Sequence, residues 1–481
     1  MTMQRRSFIK LGAGAALAGG PFAGFVNSPT GAVETPAQPV TGLRPAKDLR
    51  DGKVRLYLPE GFKYRSFHDT SEPVTLPDGT ELPGRHDGMG AFDGDNGMVT
   101  LVRNHEVNSA QGAFGPDDAP RYDAAAGGGT TTVDADHKGI VADARTSLSG
   151  TLMNCSGGIM PWGSWITCEE TVNGPDVGPD YTGRPNTGLE QPHGYIFEVP
   201  ARGVASAEPI RSAGRFCHEA VSWDGEHLYL TEDNFGFASG FYRYSPPNDP
   251  AGDGRIEDGG TLEMLKVADD PNAHLEASFE RGRTFDVEWV LIDSPDPDYS
   301  SRTDVPSNNE ALTYVSSQGW AKGAAYFSRL EGQVYDADEG VVYFTSTQGG
   351  GKPEDGTSDP SGYGNGNGQV WAYNPTGSTL TLVYESPGPR NLDFPDNITS
   401  REGTLVICED GDQDNYVRAL RPDGTMWNLA WNRMREGSTD RTDDEFAGST
   451  FSTDGETLFV NIQSDKGLTF AIWGPWDEAG F

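Results

Sequence analysis

Cysteine is scarce in this chain: Cys155, Cys168, Cys217 and Cys408 are the only four in 481 residues, and no C-x-x-C pair occurs. That excludes a disulfide-built scaffold and argues against a structural zinc site. Positive charge is scarce as well. Lys and Arg number 36 against 72 Asp and Glu, a formal charge of −36. A surface so acidic repels phosphate backbones instead of neutralising them, so no nucleic-acid partner is expected. Mean hydropathy is −0.55, and no run reaches the ~20 apolar residues a spanning helix needs, so no stable membrane anchor is expected either. Walker loops, G-x-S-x-G elbows and dinucleotide fingerprints with proper flanks are missing. The glycine-rich stretch Ser361–Gly368 has no helix pattern after it and reads as a loop, not a phosphate cradle. Asp134–Gly139 and Asp410–Asn415 fail as helix-loop-helix calcium loops, one for Lys138 at a ligand place and the other for its missing turn glycine. No serine stands out as a covalent nucleophile.

Turn formers, by contrast, are plentiful: 63 glycines and 33 prolines, about a fifth of the chain. They favour many short strands over helices. At the N-terminus, Gln4-Arg5-Arg6-Ser7-Phe8-Ile9-Lys10 precedes an uncharged small-residue run from Leu11 to Phe25. This layout predicts a twin-arginine signal over about residues 1–32, cleaved between Phe25 and Ala37. It makes the twin-arginine export machinery a partner and the destination periplasmic or secreted. The rest, 33–481, is expected to form one catalytic domain with an insertion near 245–325.

Along that domain one pattern returns six times, an apolar strand ending in polar or acidic residues. It runs through Met98–Glu106, Ser164–Glu170, His227–Asp233, Val341–Thr347, Thr404–Asp410 and Thr457–Gln463. The starts advance by 66, 63, 114, 63 and 53 residues. After several of them a further strand follows closely, as at Gly194–Val199, Gly240–Tyr244 and Gly368–Tyr373. Such spacing predicts an all-β fold, a six-bladed β-propeller with loop insertions; a β-sandwich with a second all-β domain is the alternative. If the recurring strands are innermost, their acidic ends Asn104–Glu106, Cys168–Glu170, Glu232–Asp233 and Glu409–Asp410 converge on one channel mouth. A ring of carboxylates raises its own pKa values and calls for protons or metal ions.

Four stretches carry the chemistry: Arg103–Glu106, Cys155–Glu170, Gly214–Ala220 and Ala325–Gly332. Carboxylates suit calcium, while a thiolate among them suits a softer or redox-capable metal such as iron. An arginine two residues from a ligand carboxylate suits a phosphate. The plainer readings are a buried strand cysteine for Cys168 and ion pairs with Arg215 or Arg329 for Glu219 and Glu331. His105 and His218 read equally as ligands or as orienting groups, and Trp162 and Trp165 as packing aromatics.

At these residues, above all Trp162-Gly-Ser-Trp-Ile-Thr-Cys-Glu-Glu170, the chain resembles the PhoX-type alkaline phosphatases, and the likeness extends to Glu445–Gln463. The resemblance implies a six-bladed propeller holding ferric (Fe3+) and calcium (Ca2+) ions bridged by an oxo group, and hydrolysis of small-molecule phosphomonoesters. It implies Cys168 as the iron-bound thiolate, Glu219 and Glu331 as metal-ligand carboxylates, and Arg329 as the phosphate-contacting, catalytic arginine. Asn104, Glu106, Glu169, Glu170, Glu232, Glu409 and Asp410 follow as further metal-site candidates. Leu330 stands where the family pattern leads one to expect proline. Two other functions fit the same architecture: a calcium-dependent propeller lactonase or esterase, and a non-catalytic calcium-stabilised binding propeller.

Overall fold

The computed structural model describes residues 21–27, 42–180, 182–300, 302–354 and 362–481. The fold is all-β and propeller-like. Six strands contact one another in a closed cycle: His86–Asp93, Asn154–Met160, His218–Trp223, Leu330–Asp336, Pro395–Arg401 and Glu445–Phe451. From each of these inner strands an antiparallel sheet runs outward. Two sheets have four strands, one has three and one has six. The remaining two inner strands begin opposite ends of a nine-stranded sheet, joined where Thr284–Leu291 pairs with Thr379–Glu385.

The N-terminal chain stitches the end of the molecule to its beginning. Lys63–Phe67 pairs with Leu468–Trp473, and Leu56–Leu58 pairs with Met426–Asn432. The helix Pro21–Asn27 packs Phe22 and Phe25 among Tyr343, Val383 and Leu405, with the Phe25 and Tyr343 rings 5.7 Å apart. The other residues of the expected leader, 1–20 and 28–32, lie outside the described residues. Residues 245–325 supply two sheet strands, Thr261–Val267 and Thr284–Leu291, and the helices Asn308–Leu312 and Tyr314–Ala321. Among the described residues no helix is long and apolar enough to cross a membrane.

The six recurring strands are not innermost, contrary to the sequence expectation. Each is the second strand of its sheet, at Val99–His105, Ser164–Glu169, Leu228–Glu232, Val341–Ser346, Thr404–Glu409 and Thr457–Gln463. The physical reason is burial. A second strand is covered on both faces by neighbouring sheets and so carries a continuous apolar run. The inner strands meet at close quarters and are written in glycine and polar residues instead. At Gly158 an added Cβ meets the Val221 carbonyl oxygen at 2.0 Å; at Gly448, where φ is +60°, it meets the Asp87 carbonyl oxygen at 2.2 Å.

All six inner strands share one irregularity. Pairing with the second strand slips between His86 and Met89, Asn154 and Gly157, His218 and Val221, Leu330 and Gln333, Pro395 and Ile398, and Ala447 and Thr450. In each case two residues of the inner strand oppose one of its partner, a β-bulge that re-aims side chains. The first residue of the bulge is Asp87, Cys155, Glu219, Glu331, Asp396 and Gly448 in turn. Five of six are metal-ligand types; the sixth is the glycine pressed against Asp87. Gly448→Ala is therefore expected to cost more than about 1 kcal/mol, because strain at positive φ adds to a backbone clash that cannot relax. Thermal unfolding of the variant measures it.

Candidate active site

The bulges bring the acidic groups together. Ligand atoms of Cys155, Glu170 and Glu219 lie within 4.8 Å of one another, as do those of Glu219, Glu331 and Asp396. Glu219 is 1% exposed and neither of its carboxylate oxygens accepts from an N–H or O–H group, the Cys155 thiol beside it being a weak donor at most. A buried carboxylate left bare in this way is costly unless a proton or cation meets it. Burial, reinforced by neighbouring carboxylates, pushes Glu170, Glu219, Asp396 and Glu445 well above the usual carboxylate range, and Glu331 likewise although Arg329 opposes the shift. It raises Asp87 to about 8 and lifts the Cys155 thiol. Two overlapping donor sets around bare oxygens, one of them with a sulfur, have the chemistry of a multinuclear metal centre.

The second strands add an outer tier through their ends. In three sheets the last strand residue and its successor divide the work, because successive side chains point to opposite sides. Glu169, Glu232 and Glu409 turn away from the mouth and are fully buried. Glu169 accepts from the backbone N–H groups of Leu152, Gly194 and Tyr195 and from the His193 ring at 2.6 Å. Glu232 accepts from Gly240 N–H and the Tyr242 hydroxyl; Glu409 accepts from Asp393 N–H, Tyr416 N–H and Arg418. These three carboxylates fix turns. Their successors Glu170, Asp233 and Asp410 line the mouth, a cavity of about 670 Å³ whose wall also holds Glu106, Cys155, Arg329, Glu331, Asp396, Glu445 and Gln463.

Arg329 is the cation set into this acidic wall. Its guanidinium donates to both carboxylate oxygens of Asp233, at 3.2 and 2.8 Å, and to Glu331 at 3.1 Å. Its backbone φ is +40°, an uncommon conformation for a side-chain-bearing residue. The Thr347 N–H holds it there by donating to the Arg329 carbonyl. A second arginine, Arg85, pairs with Glu106, which also accepts from Gln463 at 2.7 Å.

Two more of the expected ligands, besides Glu169, Glu232 and Glu409, have other work. Asn104 is fully buried and spends its whole amide on protein: it donates to the Cys155 and Ser156 carbonyls at 3.0 and 2.7 Å and accepts from Trp165 and Thr167. It clamps the bulge that presents Cys155. Cys168 faces away from the mouth, fully buried in an apolar cluster with Met160, Ile166, Ile196 and Phe216. It stands on the second strand opposite the Cys155–Ser156 bulge, as Asn104, Thr231 and Thr345 stand opposite theirs. Thr231 and Thr345 donate across to the Glu331 and Asp396 carbonyls of the next inner strand in the cycle, each at 2.6 Å. The thiol in the mouth is that of Cys155. Asp87, Cys155, Asp396 and Glu445 are the residues to which sequence reasoning gave no site role; Asp233 it placed only among the acidic strand ends.

A sequence-family model described as Alkaline phosphatase PhoX matches residues 41–147 and 138–465. No curated protein matches the chain. Among solved structures, Pseudomonas fluorescens PhoX in complex with vanadate, a transition state analogue, superposes with a TM-score of 0.61 at 18% identity, covering 90% of this chain and 98% of that one. A Xanthomonas campestris gluconolactonase gives 0.40 at 12% identity over 86% and 96% of the two chains. A Pseudomonas aeruginosa periplasmic gluconolactonase gives 0.33 at 14% over 80% of each. Since the family model spans nearly all of the sheet-forming residues, inner bulges and mouth included, the chain belongs to the alkaline phosphatase PhoX family.

Proposed function

We propose that this alkaline phosphatase hydrolyses phosphomonoesters in the acidic mouth, with ferric iron and calcium held by the bulge residues and Arg329 holding the phosphate. The single observation that carries the reading is Glu219: a buried carboxylate with two bare oxygens, shared by two donor sets of which one includes a thiol. Cys155, Glu170 and Glu219 suit the softer ion; Glu219, Glu331 and Asp396 suit a hard one, with Asp87, Asp410 and Glu445 completing the anionic shell. Metal ions there supply Lewis-acid neutralisation of the phosphoryl oxygens and lower the pKa of water.

This chain's own side chains do the rest. Arg329 presents a planar fork of N–H donors that matches two phosphate oxygens. At rest, Asp233 and Glu331 occupy those donors and hold the guanidinium in place; a phosphate takes over the bonds at little cost in ordering. Asn104, Thr231 and Thr345 lock the bulge backbones, so Cys155, Glu331 and Asp396 are positioned before substrate arrives. Glu169, Glu232 and Glu409 fix the turns that carry Glu170, Asp233 and Asp410.

We read the nine-stranded sheet as two blades joined by their outer strands, giving six blades to match the six inner strands. The arginine pair at Arg5-Arg6 supports export of the folded protein by the twin-arginine route to the periplasm or beyond.

The mouth also sets a pH dependence. Asp87 has a folded pKa of about 8 against 3.8 in a solvated chain. A group raised in this way binds its proton more tightly when folded, so its contribution to stability is fully present below about 4 and is lost as pH climbs toward 8. Chelated protein is therefore expected to melt at progressively lower temperature between about pH 4 and 8. Restoring calcium is expected to reverse the loss at the upper end. Calorimetry with and without chelator checks this, and a chromogenic phosphomonoester assay on the same samples tests the function: turnover lost on chelation and regained on reloading. Undiminished turnover in fully chelated protein contradicts the reading.

A further inference from the structure

The cavity of about 670 Å³ has a mixed wall, part charged and part apolar. Besides its charged residues the wall holds Val172, Phe235, Phe237 and Leu312 and the uncharged amides of Asn234 and Asn308. Phe235 is 52% exposed and is the only aromatic among the eight large apolar side chains exposed in the described residues. An exposed ring at the edge of a reaction site marks a contact surface more readily than a packing role.

The backbone that carries the ring is also held in place. The Phe235 carbonyl accepts from Tyr363 N–H at 2.7 Å. The Tyr363 carbonyl accepts from the Ser328 hydroxyl at 2.5 Å, next to Arg329 in the chain. The Phe235 ring centroid lies 5.4 Å from the Arg329 guanidinium carbon. Tyr363 therefore ties the Phe235 backbone to Ser328, the residue before Arg329. Beside them the Asn234 side chain, 1% exposed, keeps an amide oxygen without a partner.

We propose that Phe235 is a specificity-determining residue that receives the alcohol portion of the substrate, favouring aromatic and apolar phosphomonoesters over polyol phosphates. The proposal rests on the reading that Arg329 holds the phosphate. With the Phe235 ring centroid 5.4 Å from that guanidinium carbon, a phosphate held there brings an ester substituent directed toward Phe235 against the exposed part of the ring. An aryl group stacks there and sheds water from both surfaces; a polyol keeps its hydroxyls better solvated elsewhere.

The test compares metal-loaded wild type with Phe235→Ala and Phe235→Leu on phenyl phosphate and glycerol phosphate, reading KM and kcat separately. Phe235→Ala is expected to raise KM for phenyl phosphate about tenfold and that for glycerol phosphate by less than about threefold. Phe235→Leu, which keeps apolar bulk without the ring, is expected to fall between. A ratio of the two KM values in Phe235→Ala equal to that of wild type overturns the proposal, whether both constants rise or neither does. Failure of the underlying reading shows separately, as inhibition by inorganic phosphate that survives unchanged in Arg329→Ala.

Discussion

Cys155→Ala is expected to lower phosphatase activity at least about 100-fold, while Cys168→Ala keeps it within about threefold of wild type. The two residues lie 13 positions apart in one motif, and both are buried, Cys168 completely and Cys155 with its edge on the cavity. They differ in what the strand does with them. Cys155 sits first in a bulge and reaches within 4.8 Å of Glu170 and Glu219. Removing its sulfur takes a donor from a set that already lacks compensating charge, so the softer ion loses its selective ligand. Cys168 is a small apolar filler, and its truncation costs about 1 kcal/mol of packing without touching the mouth. Steady-state assays on both variants, each with its metal content measured, separate the two roles. A dead Cys168→Ala with native stability alongside an active Cys155→Ala reverses the assignment.

Arg329→Ala is expected to cut kcat/KM by about 10² to 10³, the usual effect of removing one preorganised donor aimed at developing charge. It is also expected to weaken inhibition by inorganic phosphate, since the same fork contacts ground state and product. Arg329→Lys restores charge but not the bidentate geometry and recovers only part of the loss. The substitution acts twice over, because it strips Asp233 and Glu331 of their cation and leaves two more buried anions in the wall. A higher calcium requirement in Arg329→Ala is the accompanying sign, read from activity against free calcium concentration.

The all-β architecture, the recurring unit and several mouth residues were legible because each second strand is buried on both faces. Val-Ile-Leu-rich runs such as Thr404–Glu409 therefore repeat visibly, and acidic residues ending an apolar strand draw notice. Which member of each acidic pair faces the mouth was not legible. Glu169 and Glu170 are chemically alike, and only register against the inner strand decides that the first bonds His193 and the second joins Cys155.

The bulges were hidden for a different reason. An extra residue breaks the period of two on which strand reading depends, and the inner strands lack the apolar signature altogether. A weak trace is present all the same. Eight to eleven residues before each recurring strand stands Asp87-Gly88, Cys155-Ser156, Glu219-Ala220, Glu331-Gly332, Asp396-Asn397 or Gly448-Ser449. In the first five a potential ligand precedes a small or amide residue, and that alignment points to Cys155 over Cys168. A cysteine between two glutamates and a tryptophan-rich strand drew attention to Cys168, whereas the group with Glu170 and Glu219 holds Cys155, because local context cannot show which side of a sheet a residue faces.

The chemistry of the mouth depends on bulged inner strands presenting Cys155 and four carboxylates to shared metal ions. Elemental analysis of the purified full-length protein beside its Cys155→Ala variant tests it most directly. The account requires a transition metal and calcium in the wild type, with the transition metal lost and calcium kept in the variant. Equal transition-metal content in both proteins, or an active wild type carrying neither metal, contradicts it.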